Sequence, residues 1–148
     1  MLGSLSDLAE EAALPFEAVF FERGLTLETE IRPELYVEGS DRALRECIGI
    51  LLDNAMKYSD PQTTVLLKLE KRQNYAVLSV EDSGAPIAPE ELKNLFKRFY
   101  RADSAREADG SYGLGLSILE STIRKHGGKC FAESAGGINT FGFRLPLA

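Results

Sequence analysis

The stretch "DGSYGLGLSIL", residues 109–119, places three glycines immediately before an apolar segment with helical spacing. One tight turn needs a single glycine, so this spacing indicates a loop whose backbone must approach another group closely. The N–H groups at the start of the following helix, predicted over residues 114–126, are a favourable site for anionic oxygens. A flexible loop before an ordinary helix fits these residues as well, so the interpretation depends on the flanking segments.

Composition limits the class of protein. The chain has 148 residues, a net charge of −6 and 44% hydrophobic residues, which is typical of one globular domain. The acidic balance argues against nucleic-acid binding, and no apolar run approaches the length of a membrane span. We therefore expect a cytoplasmic domain without membrane contact. The two cysteines form no CxxC pattern and predict reduced, buried thiols, while a single histidine argues against a triad or a zinc site.

The periodicity of the chain predicts an α+β two-layer sandwich. Hairpin-forming strands are expected over 25–31, 34–39, 63–72, 75–82, 129–134 and 139–147. Helices are expected over 5–23, from Ser40 or Asp41 to about Tyr58, within 89–100 and over 114–126. Pro15 predicts a kink or break in the first helix, and Gly24 a cap at its end.

The helix in "ECIGILLDNAMKYSD", residues 46–60, combines a wide apolar face with one polar interruption, Asn54. Lys57 and Tyr58 follow about one turn later, near the same face. An amide oxygen suits Mg²⁺, and a nearby lysine suits a phosphate. The alternative is a solvent-facing asparagine near the end of a helix.

The strand and turn in "VEDSGAPIAPEEL", residues 80–92, end an apolar run on Asp82. A carboxylate at the edge of a sheet can accept a hydrogen bond from an exocyclic amine such as that of adenine. Gly84 would leave space for a flat ring. An ordinary Asp-Ser-Gly turn is the alternative.

In this order, the segments resemble the ATP-binding catalytic domain of bacterial sensor histidine kinases, within the GHKL superfamily. The family's N box, first glycine box, phenylalanine box, second glycine box with its helix, and last box are similar to "LLDNAMKYSD", "DSGAPI", "LFKRFYRAD", "GLGLSIL" with "KHGG", and "GGINTFGFRLPL". The resemblance covers about residues 20–148. It implies a Bergerat-type fold, a mixed and mostly antiparallel sheet with about three helices on one face, and ATP and Mg²⁺ as cofactors.

The resemblance also implies a role for individual residues. Asn54 would hold Mg²⁺, and the adenine site would be formed by Asp82 with Gly84 and Ile87, supported by Thr140 through water. The residues implied at the phosphates or ribose are Lys57, Tyr58, Gly113, Leu114, Gly115 and Leu116. A lid over residues 85–112 would be anchored by Phe96 and Phe99, and its Arg98 or Arg101 would reach the γ-phosphate.

Two positions depart from the family pattern. Ile50 stands where the family often has an asparagine and where the chaperone and topoisomerase branches have a general base. Pro86 replaces the second glycine of the first glycine box and should stiffen the first hinge of the lid. These departures motivate an alternative function, a nucleotide-binding pseudokinase that signals by conformation.

The resemblance implies transfer of the ATP γ-phosphoryl group to a histidine. The single histidine, His126, looks like a helix-end residue, so we expect the acceptor on upstream dimerisation helices. Residues 1–20 are interpreted as a linker or the end of that region, and residues 21–148 as the catalytic domain. The full-length system would include a response regulator and, in some arrangements, a membrane-bound sensor. An anti-sigma-factor-like serine kinase of the same fold is a further alternative.

Overall fold

A computed structural model of the chain describes residues 2–97 and 115–148. Its strands are β1 (Leu2–Ser4), β2 (Thr26–Ile31), β3 (Tyr36–Glu38), β4 (Thr64–Arg72), β5 (Tyr75–Ser83), β6 (Lys129–Ala135) and β7 (Ile138–Pro146). Its helices are α1 (Leu5–Glu22), α2 (Asp41–Tyr58), α3 (Pro89–Leu92) and α4 (Gly115–Lys125).

The main sheet has five strands in the order β2-β4-β5-β7-β6. β2 runs parallel to β4 and the other neighbours are antiparallel, so the sheet is mixed but mostly antiparallel. Alternate residues of the central strands are buried beneath α1, α2 and α4, namely Val65, Leu67, Leu69, Ala76, Leu78, Val80, Phe141, Phe143 and Leu145. Period-two burial of this kind is what a sheet covered on one face produces. The predicted α+β sandwich is confirmed.

The helix α2 begins and ends as its sequence predicts. The Ser40 side chain caps it, because its hydroxyl oxygen accepts a hydrogen bond from the Ala43 N–H at 3.1 Å. A buried stripe then follows the helical period through Leu44, Cys47, Ile48, Leu51, Leu52 and Ala55. The stripe fixes which side of α2 meets the sheet and therefore which side is left for a ligand.

The β6–β7 hairpin turns on Gly136 and Gly137, whose φ angles are +61° and +81°. Two residues with positive φ form the tight turn that matches the twist of a hairpin, and glycine adopts that geometry most easily. The turn pairs Ala135 with Ile138, and so fixes the register of every pair beyond it.

The helix α1 continues through Pro15, so the break that was one of the two predicted outcomes does not occur. Core contacts on both sides of the proline, at Ala12, Ala13 and Phe20, hold the two halves on one surface. The carbonyl group that loses its helical donor belongs to Glu11, which is exposed to water. The predicted cap at Gly24 is confirmed by its φ of +75°.

Residues 2–22 belong to the same folded unit as the rest of the domain, and α1 contributes to its core. β1 pairs with β3, and the Ser6 hydroxyl group donates to the Arg32 carbonyl and accepts from the Leu35 N–H. The division of the chain at residue 20 stays a prediction about the parent protein. Among residues 2–97 and 115–148, no helix combines the length and apolar character that crossing a bilayer requires.

Candidate functional site

The carboxyl-terminal end of α2 lies against the end of β5. The Asp60 N–H donates a hydrogen bond to the Ser83 carbonyl at 2.8 Å. The Tyr58 carbonyl oxygen lies 2.9 Å from the point where a Cβ on Gly84 would stand. The structure thus brings the last turns of α2, which carry Asn54, Lys57 and Tyr58, to the end of β5, where Asp82 lies.

The start of α4 meets the same helix. A Cβ on Gly115 would stand 3.7 Å from Ile50 Cγ2, and Ile50 lies one turn before Asn54. Ile50 therefore makes an apolar contact where the family often has a polar side chain. The Leu116 side chain is buried in the core, which leaves its backbone N–H as the group able to face a ligand. Gly113, Leu114, Arg98, Phe99 and Arg101 lie outside the described residues.

The polar residues of α2 differ in their surroundings. Asn54 and Tyr58 are half-buried, whereas the Lys57 ammonium group forms an ion pair with Asp53 at 3.2 Å near the surface. An exposed pair of this kind contributes about 0–1 kcal/mol to stability. An anionic phosphate can therefore compete with Asp53 for Lys57.

The Asp82 side chain is only 3% exposed and continues the buried face of β5 beyond Val80. A carboxylate at the end of a strand can accept a hydrogen bond from a specific polar ligand group, and burial makes such a bond strong and selective. Gly84 also has a packing requirement of its own. A Cβ there would meet the Tyr58 carbonyl oxygen, with the Asp82 carboxylate at 3.4 Å and the Asn139 amide at 3.5 Å, so a side chain on that side would crowd these groups. The predicted approach of a flat ring to Gly84 stays a prediction.

The register of β5 and β7 corrects the prediction for Thr140. Thr140 pairs with Glu81, and Asn139 pairs with Asp82. Paired residues of antiparallel strands project to the same face, so Thr140 faces away from the Asp82 side of the sheet. Asn139 is the polar neighbour of Asp82, and it is 5% exposed. Its signal in the sequence was the alternation of Asn139 with the buried Phe141, Phe143 and Leu145.

The described part of the predicted lid is tied to the sheet. Ile87 packs against the core, and its N–H donates to the Ser134 hydroxyl oxygen at 2.9 Å. The Phe96 ring meets the Phe141 ring edge-on, with centroids 6.5 Å apart, a spacing typical of aromatic pairs. The predicted anchoring of Phe96 in the core is confirmed.

The single histidine has a structural position. His126 Nδ1 lies 2.7 Å from the Thr122 carbonyl oxygen and carries the proton that bonds to it. His126 Nε2 accepts a hydrogen bond from the Ser40 N–H at 3.2 Å. The Nδ1 bond therefore holds the ring against the last turn of α4, and the Nε2 bond links the end of α4 to the start of α2.

These features define a class. A buried carboxylate at the end of a strand, a helix with half-buried polar residues beside it, and a second helix entered through glycines form the arrangement of an ATP-binding catalytic domain. The chain belongs to the family described as histidine kinase-, DNA gyrase B-, and HSP90-like ATPase, whose model matches residues 39–148. It is the catalytic ATPase domain of sensor-histidine-kinase type, as the resemblance predicted.

Individual comparisons support this assignment. The chain is 39% identical over 134 residues to the probable sensor protein PcoS of Escherichia coli, covering 89% of this chain and 28% of PcoS. It is 30% identical over 126 residues to the sensor protein DltS of Streptococcus agalactiae, covering 85% of this chain and 32% of DltS. The nucleotide-free catalytic domain of histidine kinase ThkA superposes with a TM-score of 0.87 at 26% identity, covering 99% of this chain and 94% of that one. The chain thus spans about a quarter to a third of the length of the curated relatives it matches.

Proposed function

We propose that this domain binds ATP with Mg²⁺ and transfers the γ-phosphoryl group to a histidine outside the chain. The observation that carries the proposal is the convergence of three segments: the end of α2, the end of β5 and the start of α4. Each supplies a different chemistry, and a nucleoside triphosphate needs all three.

The adenine end of the nucleotide is assigned to Asp82. Its carboxylate can accept a hydrogen bond from the exocyclic amine of adenine, and guanine presents a carbonyl oxygen at that position. In a site that is 3% exposed, a charged acceptor facing a carbonyl oxygen is strongly unfavourable. Asp82 therefore selects ATP over GTP.

The metal is assigned to Asn54. Within residues 2–97 and 115–148, no group of three or more acidic, histidine or cysteine side chains could hold a metal by itself. Mg²⁺ commonly binds through one or two protein oxygens, phosphate oxygens and water, so one carboxamide on α2 fits it. When bound, the ion would neutralise the phosphates; Asn54 contributes by fixing its position.

The phosphates are assigned to the first turn of α4 and to Lys57. The initial N–H groups of a helix have no acceptor within that helix, and the helix dipole favours negative charge there. Lys57 adds a mobile positive charge on the neighbouring helix. Gly113, Leu114 and a lid arginine, Arg98 or Arg101, complete the assignment as predictions. The domain acts by positioning and by charge neutralisation, as phosphoryl transfer generally requires.

The acceptor histidine is assigned to dimerisation helices encoded outside this chain. His126 has both ring nitrogens bonded to backbone groups, so it does not serve as the nucleophile. We propose the cytoplasm as the location of the domain, since ATP is available there, and a response regulator as the final recipient of the phosphoryl group.

The experiment joins this domain to the upstream helices of its parent protein and measures labelled phosphate transferred from γ-labelled ATP. The expected product is acid-labile phosphate on a histidine, absent in the Asn54→Ala variant. Lys68→Ala serves as a control, because that residue pairs with Glu70 on β4, away from α2.

A second candidate function is a pseudokinase that binds ATP and signals by conformation. The apolar contact of Ile50 with the start of α4 favours it, because a polar anchor is missing beside Asn54. In the same experiment, ATP binding without histidine labelling would select this function over catalysis.

A further inference from the structure

Ser134 and Asn139, on the two strands of the β6–β7 hairpin, hold the loop that follows Asp82. The Ile87 N–H donates to the Ser134 hydroxyl oxygen at 2.9 Å, and the Ser134 hydroxyl group donates to Asn139 Oδ1 at 2.6 Å. The Asn139 amide nitrogen donates to the Ala85 carbonyl oxygen at 2.9 Å. The loop is therefore held on both sides of Pro86.

This pair of residues lies beside the proposed adenine site. Asn139 pairs with Asp82 across the sheet, and its amide is 3.5 Å from the position of a Cβ on Gly84. The Asp82 carboxylate is 3.4 Å from the same position. One carboxamide thus separates the Asp82 carboxylate from the backbone of the loop, and any movement of the loop changes the wall beside Asp82.

We propose that Ser134 and Asn139 are positioning residues that fix residues 85–87 in the shape that receives adenine, an inference that rests on the proposed nucleotide site. Pro86 fixes its own φ angle, and the two anchors fix the groups on either side of it. The loop is consequently ordered during folding, so nucleotide binding costs less conformational entropy. Held by Ser134 and Asn139, residues 85–87 form a rigid wall where the family pattern has a flexible glycine hinge.

The position of the anchors predicts which nucleotides they affect. Because the two residues support the adenine side of the site, their loss should lower the binding affinities for ATP and ADP by the same factor. A group acting at the phosphates would instead change the ratio between the two affinities.

The test uses Ser134→Ala, which removes the acceptor for Ile87 and the donor to Asn139. Ser134→Thr retains a hydroxyl group and should restore both bonds. Thr140→Ala is the matched control, since Thr140 is the next residue on β7 but faces the other side of the sheet. Calorimetric titrations with ATP and ADP in magnesium are combined with hydrogen exchange of the Ile87 amide without nucleotide.

We expect Ser134→Ala to speed hydrogen exchange of the Ile87 amide. The same variant should lower the affinities for ATP and ADP equally, by roughly three- to tenfold, as for the loss of one or two hydrogen bonds. Ser134→Thr and Thr140→Ala should retain the wild-type affinities. Faster exchange with unchanged affinities would overturn the proposal, as would an equal loss in Thr140→Ala. A wild-type domain that binds no adenine nucleotide would overturn the proposed function itself, together with this inference.

Discussion

Asn139 lies directly opposite Asp82 where β7 pairs with β5, so a carboxamide and a carboxylate meet on the buried face of the sheet. The two side chains are 5% and 3% exposed. The pairing places two polar side chains next to each other within the packed end of the sheet. The proposed nucleotide site lies at this end of β5, where α2 ends.

The first prediction concerns Lys57, whose ammonium group pairs with Asp53 and is proposed to bind the phosphates of ATP. Lys57→Ala should lower ATP affinity by roughly tenfold, as expected for loss of a charge-assisted hydrogen bond, while changing stability by less than about 1 kcal/mol. Asp53→Asn leaves the lysine free and should keep or raise ATP affinity. Titration calorimetry measures both variants. An equal loss of affinity in Asp53→Asn would show that the ion pair, and not the ammonium group, supports binding.

Two glycines predict opposite effects on stability. A Cβ on Gly142 would overlap the Leu78 carbonyl oxygen and approach the Phe131 ring to 2.7 Å, so Gly142→Ala should destabilise the fold by about 2–4 kcal/mol. Gly49 lies within α2 with open space around its Cβ position, so Gly49→Ala should stabilise by about 0.5–1 kcal/mol. Urea unfolding of the two variants gives the signs, and a shared sign would contradict the described packing.

The two thiols, buried at Cys47 and half-buried at Cys130, predict a dependence of stability on pH. Burial raises the pKa of the Cys47 thiol to about 12, and burial likewise raises the pKa of the Cys130 thiol to about 12. An unfolded cysteine loses its proton near pH 8.5, so deprotonation favours the unfolded chain above that pH. The contribution of the two thiols to the free energy of unfolding should be fully present below about pH 8.5 and should be lost as the pH rises towards 12.

Urea midpoints at pH 8 and pH 10 measure this effect. The decrease should be smaller in Cys47→Ala, which lacks one of the thiols. In the native wild type, iodoacetamide at pH 8.5 should leave Cys47 unmodified and label it only after unfolding. Rapid labelling of native Cys47 would contradict its burial.

Most of the fold could be predicted because its elements follow strong local patterns. The apolar stripe of α2, the cap at Ser40 and the alternation of β5 each specify one structure from neighbouring residues. Pro15 does not break α1 because core contacts on both sides of it hold the helix together, and such contacts are not visible in local sequence. The position of the turn sets which residues of β7 face the core. Because successive residues of a strand face opposite sides, an error of one residue exchanged Asn139 for Thr140.

The site was predicted less completely than the fold. Asp82, Asn54 and Gly115 were singled out by motif, and the structure brings their segments together. Gly84 was interpreted as space for a ligand, which stays a prediction; the structure adds the close approach of the Tyr58 carbonyl, a contact between residues 26 positions apart that local sequence does not show. Ser134 was not singled out at all, because a serine in a strand has no pattern until its partners are known.

The most direct test of the account is a calorimetric titration of Mg²⁺-ATP and Mg²⁺-GTP into the wild type and Asp82→Asn. Glu81→Gln is the matched control, since Glu81 is the preceding residue of β5 and lies opposite Thr140 on the other face. The account predicts that the wild type prefers ATP, that Asp82→Asn loses roughly tenfold or more in ATP affinity with little change for GTP, and that Glu81→Gln matches the wild type. Equal affinities of all three proteins for ATP would contradict the assignment of Asp82 to adenine and the nucleotide site built around it.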